Sequence, residues 1–453
     1  MLKSINPYTQ ETILTFEEET TNDVEKKIKK AHKAYLDWRF MSFERRKNLI
    51  LECAEVLKKN KNLYAKAITL EMGKPISQAI AEIDKCILLC NFYAEQAADF
   101  LAPKEIETEA YSSFIRYEPL GVVLGVMPWN YPFWQVFRLA IPAILAGNTV
   151  LLKHASSVMQ SAENIADSFT EAGFPEGVFQ NLIINNDKVE AIIRNPNVKA
   201  VSLTGSKPAG SAVASVAAQE IKKSVLELGG SNALVVFEDA EIDKAVDICI
   251  QARFQNTGQS CIAGKRLLLH ERIYDIFLEK LLTKVYELKV GDPLDEETYI
   301  SVMAKEELAE ELENQLKKGV EEGAKVILGG KRKAAFFEPT IVINVTPENT
   351  LFTEETFGPL LAVTSFKTDM EAIDLVNSSE YGLGVSIFTQ DAERAKAMIP
   401  QFEDAAVFIN AMVKSDPRLP FGGTKASGYG RELSAQGIRE FVNIKTVYVN
   451  QYE

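Results

Sequence analysis

The spacing of apolar positions changes along the chain, and each change marks a different kind of element. From Thr21 to about Lys59 the spacing is helical: Val24, Ile28 and Ala31 share one face, Lys and Glu fill the others, and Thr21 is placed to cap. Between Tyr117 and Leu152 short continuous apolar runs replace the stripe. Gly121 to Val126 and Thr149 to Leu152 are predicted strands, flanking an apolar helical segment that opens at Pro132. The alternation continues with a helix from Ser161 to Ala172, a strand near Asn181 to Ile184, and a strand from Val198 to Leu203. That last strand runs into Thr204-Gly205-Ser206 and then into a helix rich in Ala and Val. Strands alternating with helices of this length imply parallel βαβ units with right-handed crossovers. The predicted class is therefore α/β, with a Rossmann-type sheet in the first half.

A second cycle starts after Glu227-Leu228-Gly229-Gly230, with a strand at Ala233 to Phe237, a helix at Glu241 to Arg253, a polar turn holding Cys261, and a strand at Arg266 to His270. A domain change is placed near residue 228. Lys305 to Lys325 reads as a solvated amphipathic helix, with Leu308, Leu312, Leu316 and Val320 on its stripe and Glu313 and Lys317 paired at i,i+4. Phe441 to Val449 is strongly β-prone, and a terminal strand is normally paired or covered, which points to assembly between subunits.

Composition narrows the function classes. At 453 residues the chain is too long for one small core and long enough for two or three substructures. Fifty Lys and Arg against sixty-three Asp and Glu give a net charge of −13, which argues against nucleic acid or anionic lipid as a partner. Five cysteines, an odd number, argue against a disulfide framework and for a reducing compartment. Cys86 and Cys90 read as helix neighbours in a core, and with only three histidines no metal site is expected. Met1 to Pro7 lacks the features of a secretory signal, and the apolar run from Leu139 to Leu152 is broken by Pro142 and Gly147, short of the ~20 residues of a membrane span. The expectation is a cytoplasmic protein with no membrane contact.

Four segments could carry chemistry. Asn256-Thr257-Gly258-Gln259-Ser260-Cys261 puts a cysteine after a polar turn, close to Lys265 and Arg266, which would favour a thiolate; a buried inert cysteine fits the same turn. Glu227 stands between leucines at a strand end, where a desolvated carboxylate serves as a base, or equally as a salt-bridging acid at a boundary. In Pro128-Trp129-Asn130-Tyr131-Pro132 the Asn130 amide can donate to an oxyanion, while the prolines and aromatics alone would make a rigid turn. Gly205-Ser206-Lys207-Pro208-Ala209-Gly210 lies between strand and helix, where free N–H groups receive pyrophosphate; it lacks the G-x-G-x-x-G spacing, so an ordinary βα turn also fits.

Together, and in this order, the four segments resemble the aldehyde dehydrogenase superfamily over essentially the whole length, from Asn6-Pro7 to the final strand. Leu152-Lys153-His154-Ala155-Ser156, Glu354-Glu355-Thr356-Phe357-Gly358-Pro359 and Pro420-Phe421-Gly422-Gly423 are similar to further family signatures. The resemblance implies a Rossmann-type cofactor domain (1–100 and 120–228), an α/β catalytic domain (229–430) and a small β oligomerisation element (101–119 and 431–453) in a homodimer or homotetramer. It also implies a mechanism. The Cys261 thiolate adds to an aldehyde, its backbone N–H and Asn130 hold the oxyanion, hydride leaves to NADP or NAD, and Glu227 activates the water that hydrolyses the thioester.

The same resemblance assigns Lys153 and Glu355 to the cofactor riboses, Gly205 and Ser206 to the pyrophosphate, and Trp129 and Phe357 to packing beside the dinucleotide. Ser156 is neutral where NAD-preferring members often carry an acid, which tilts the expectation towards NADP. His154 departs from the family's usual proline and leaves the path of this loop open. The chain most resembles the bacterial succinate-semialdehyde dehydrogenase branch. Arg138 then falls where that branch binds the distal carboxylate, with Arg418 and Ser260 as further substrate contacts. Gln255 and Asp416 depart from that branch's pattern, and the alternatives are a broad-specificity aldehyde dehydrogenase with Arg138 in a helix-surface salt bridge, or a non-catalytic protein that keeps the fold.

Overall fold

The structure is a computed structural model, and it describes residues 1–451; the last two residues of the expected oligomerisation element lie outside the described residues. The N-terminal helical region consists of four helices: α1 (Thr21–Trp38), α2 (Phe43–Lys59), α3 (Lys61–Met72) and α4 (Ile76–Phe100). The expected cap is displaced by one residue. Thr20, not Thr21, accepts the Asp23 N–H, and the helical run to Lys59 is broken where Ser42 caps a new helix by accepting from Arg45. Gly73 takes a left-handed conformation (φ 73°) that ends α3, and Pro75 starts α4.

Two sheets carry the rest. The first has six strands in the order Gly428–Tyr429, Lys223–Glu227, Val198–Thr204, Val122–Met127, Thr149–His154 and Phe179–Asn181, all parallel except the first pair. The strand expected near 181–184 ends earlier, at Asn181. Period-two alternation decides the faces. Val123, Val150, Leu152 and Val225 pack in one cluster with α2 to α4 and with α5 (Pro132–Leu145), whereas Val122, Leu124, Leu151 and Leu203 pack with α1 and the helix Lys207–Gln219.

Between Glu227 and Asn232 the chain passes to a second, seven-stranded sheet running from Lys325–Leu328 through Gly264–His270 and Asn232–Val236 to Val407–Ile409. The amphipathic helix Glu306–Glu321 buries Ala309, Leu312 and Leu316 as its stripe requires. Val320 is exposed instead, because Gly319 takes the inward position beside Leu351. A third, antiparallel sheet joins Val442–Val449 to Ser112–Pro119 and Lys104–Glu105. Among the described residues no helix is long and apolar enough to cross a membrane.

One buried ion pair ties α4 to α5. Every residue of α5 is buried, and its first turn has no side-chain cap of its own. Glu82 of α4 supplies one: its Oε1 accepts the N–H groups of Phe133 and Trp134 at 2.9 and 3.0 Å, as the unsatisfied N-terminal donors demand. Lys74 pairs with the other carboxylate oxygen and lies 3.7 Å over the Tyr131 ring. Removing one partner of such a pair strands the other's charge. Lys74→Met should lower stability in urea by about 3–5 kcal/mol; a loss under about 1 kcal/mol would show that the α5 amides alone neutralise Glu82.

Candidate active site

The parallel strands of the first sheet end together. Val126 lies opposite Lys153 and Leu203, and Thr204 lies opposite Glu227, so the loops carrying Asn130, Lys153, Gly205 and Gly229 all leave from the carboxyl edge. In α/β sheets that edge is where ligands bind.

The cysteine reaches the same edge from the second sheet, on a strained turn. Asn256, Thr257 and Gly258 are consecutive left-handed residues (φ 55°, 53° and 72°). For β-branched Thr257 this costs about 1–2 kcal/mol, so surrounding bonds must hold it. Asn256 Nδ2 donates to the carbonyls of Asn130 and Gln259 at 2.9 and 3.0 Å, and the Ser301 and Ala304 amides donate to the Thr257 and Gln259 side chains. A side chain at Gly258 would run into the Gly358 carbonyl. Arg253, fully buried, donates to the carbonyls of Leu360 and Thr356 at 2.6 and 3.1 Å and to that of Gly358, fastening the Glu355–Pro359 loop alongside.

This turn leaves Cys261 partly exposed where two crevices meet. The first is lined by Trp129, Asn130, Thr204, Gly205, Ser206, Glu355 and Phe357. The second is lined by Lys85, Tyr131, Trp134, Arg138, Ser260, Ser415 and Phe421. Cys261 borders both. The expectation that Lys265 and Arg266 favour the thiolate needs correction. Arg266 is turned away, donating to the carbonyls of Ser231, Leu375 and Val376. Burial pushes the Cys261 thiol up, and the charges of Arg138 and Lys265 only partly offset it.

Asn130 is buried, with Nδ2 donating to Gln259 O at 3.2 Å and Oδ1 without a partner, so its second N–H remains for a ligand. Glu227 is buried too, and burial followed by the neighbouring Glu432 carboxylate holds its pKa well above the ordinary range, against the pull of Arg138. Its carboxyl faces Gly422 and borders neither crevice.

The cofactor-type residues divide. Gly205 and Ser206 line the crevice at the start of the helix Lys207–Gln219, whose cap makes no side-chain bond; the Gly205 N–H donates to Glu227 O at 3.0 Å, and Pro208 has no N–H. Trp129 and Phe357 meet edge to face at 5.8 Å. Glu355 Oε1 accepts from Gly230 N at 3.0 Å and Lys265 Nζ at 2.6 Å. Lys153 bonds Asn186, and burial lowers its pKa to about 8; Ser156 borders a separate cavity with Lys3 and Lys305. The open helix start beside Gly205 and Ser206 suits a dinucleotide's pyrophosphate. His154 settles its loop's path: Nδ1 accepts from Ala155 N at 2.8 Å, so Nε2 carries the proton and donates to Pro132 O at 3.0 Å, and burial lowers its pKa to about 4.

The substrate-type residues divide as well. Ser260 and Arg138 border the cysteine's second crevice. Arg138 is not on a helix surface: it is buried, ion-paired with Glu432 at 2.6 Å, and stacked 4.7 Å from the Phe421 ring. Arg418 is not brought to the site. Its guanidinium is exposed and grips Asp416 through two bonds of 2.6 and 2.8 Å. Sequence reasoning missed Glu432, Glu82 and Lys85. Lys85 was readable as a cation beside Ile83 and Cys86, both buried, one turn before Leu89 and Cys90.

The chain belongs to the aldehyde dehydrogenase family, whose model matches residues 1–447. It is 44% identical over 451 residues to a probable succinate-semialdehyde dehydrogenase [NADP(+)] of Synechocystis sp., with 99% of each chain covered. It is also 44% identical over 454 residues to the succinate-semialdehyde dehydrogenase [NADP(+)] of Mycobacterium leprae, again with 99% of each covered. Among solved structures it is similar to succinic semialdehyde dehydrogenase from Streptococcus pyogenes in complex with NADP+, at a TM-score of 0.97, 35% identity and complete coverage of both chains.

Asn130→Ala should lower kcat about 10²–10³-fold, the usual effect of losing one oxyanion donor; steady-state rates identical to wild type would remove it from the reaction.

Proposed function

We propose that the protein oxidises succinate semialdehyde to succinate with NADP as the preferred acceptor. The observation that carries this reading is the position of Cys261 between a dinucleotide-type crevice and a crevice lined with cations. Similarity to the relatives above supports the substrate and the cofactor.

The resting thiol first gives up its proton to solvent, and the sulfur adds to the aldehyde carbon entering from the cationic crevice. The developing oxyanion is held by the Cys261 N–H and the free N–H of Asn130. NADP would supply the hydride acceptor when bound; Gly205 and Ser206 would hold its pyrophosphate, Lys153 and Glu355 its riboses, Trp129 and Phe357 would flank it, and neutral Ser156 would admit its 2′-phosphate. Glu227 turns from Gly422 towards the sulfur and takes a proton from the water that hydrolyses the thioester. A carboxylate held above its ordinary range by burial is a stronger base than one in water. Arg138 contributes positive charge to the substrate side, and Ser260 borders the entering aldehyde.

Both crevices then lie between the cofactor domain (1–100 and 120–228) and the catalytic domain (229–430), each lined from both, and the third sheet is the oligomerisation element. Its outer strand exposes Ile444 and Tyr448, which supports a homodimer or homotetramer. Free buried thiols fit a cytoplasmic setting.

Initial rates with NADP and NAD, on succinate semialdehyde and on butanal, test the assignment. Wild type should strongly prefer the semialdehyde and NADP; equal turnover of both aldehydes would replace this reading with a broad-specificity enzyme. Glu227→Gln should leave a single-turnover burst of NADPH and slow later turnovers about 10²–10⁴-fold. In wild type that later phase should fade as pH drops through a value above 4.5, the ordinary one, because only the ionised carboxyl accepts the proton.

A further inference from the structure

One ammonium meets three parts of the site. Lys265, four residues after the nucleophile on the strand Gly264–His270, is fully buried. Its Nζ donates to the Cys261 carbonyl at 3.0 Å, to the Glu355 carboxylate at 2.6 Å and to the Gly230 carbonyl. These bonds use all three of its protons. They join the turn that carries Cys261, the loop that lines the cofactor crevice, and the crossover that follows Glu227. The join is close: a Cβ at Gly230 would stand 2.7 Å from the Cys261 carbonyl oxygen. The ammonium also lies 5.5 Å from the centre of the Phe357 ring.

A neutral donor would bridge two carbonyls equally well, without the desolvation penalty of a buried charge. The charge adds two things. Glu355 Oε1 is occupied by Lys265 and the Gly230 N–H, whereas Oε2 accepts no bond among the described residues and stands beside Gly229 on the crevice wall. The ion pair therefore fixes which oxygen the crevice receives. Lys265 and Glu355 also act on the thiol in opposite senses, the ammonium favouring the thiolate and the carboxylate opposing it. The other groups facing Cys261 are Arg138 from α5, Tyr131 from the turn before α5, and Glu227 from the first sheet.

We propose that Lys265 is a positioning residue that couples the cofactor crevice to the nucleophile, aiming Glu355 Oε2 at the cofactor while holding the Cys261 turn to the same ammonium. This rests on the cofactor reading above and adds to it the residue that ties cofactor and nucleophile together. Lys265 borders neither crevice, so it acts only through Glu355 and the Cys261 backbone.

Two measurements that need no turnover test this. Quenching of tryptophan fluorescence, with Trp129 in the crevice, gives Kd for NADP. Kd should rise about 3–10-fold in Glu355→Gln and in Lys265→Met, and no further in the double variant, because the lysine acts through the acid. The second readout is alkylation of Cys261 by iodoacetamide in the cofactor-free enzyme, followed by mass spectrometry across pH. Its midpoint should rise by about one pH unit in Lys265→Met and fall by a smaller step in Glu355→Gln. Damaged packing would move both variants the same way. Additive losses in Kd, or midpoints that move together or stay at the wild-type value, overturn the inference and leave the proposed function standing. If Lys265→Met does not fold, Glu355→Gln decides, and a midpoint that fails to fall overturns it. Wild type that binds NAD and not NADP overturns the proposed acceptor instead, and the same titrations are then made with NAD.

Discussion

The Glu82–Lys74 pair is the constraint on which the site depends. It is buried between helices, and its carboxylate closes the open amides of α5, the helix that begins two residues after Asn130. A charge in that position is tolerable only with full compensation, so α4, the Tyr131 ring and the start of α5 are held in one geometry. The consequences spread outward along both helices. Lys85 follows Glu82 by three residues on α4, while Trp134 and Arg138 lie on successive turns of α5, so the wall of the substrate-side crevice is set by the same fastening.

The cysteine is positioned by a different device. Three left-handed residues in succession would not persist in an isolated loop, and here Arg253 and Asn256 fix them through backbone carbonyls of two neighbouring loops. Because those loops also carry Asn130 and Phe357, the nucleophile, the oxyanion donor and the cofactor wall share one set of bonds. A shift in any of them moves the others.

Much of this architecture is legible in the sequence. The alternation of short apolar runs with helical stripes locates the parallel strands to within a few residues, because strands buried on both faces leave little freedom. Cys261, Asn130 and the Gly205-Ser206 turn stand out for a related reason: each sits on a turn whose residues are poorly explained by packing. Charged groups are less legible. Arg138 reads as a site residue, yet its partner Glu432 is 294 positions away in the chain and no local pattern pairs them. Arg418 reads as a ligand and is only the partner of Asp416 two residues earlier. Lys85 escapes because a lone lysine in a helix is ordinarily solvated, and only the arrival of α5 and the Ser415 loop buries it.

The resting state of Cys261 has a consequence for survival in the cell. Peroxides and adventitious electrophiles attack the thiolate, and a thiol held protonated by its surroundings offers them little. The other four cysteines are buried outright. The enzyme thus carries its reactive sulfur disarmed, with its remaining thiols out of reach of oxidants in solution.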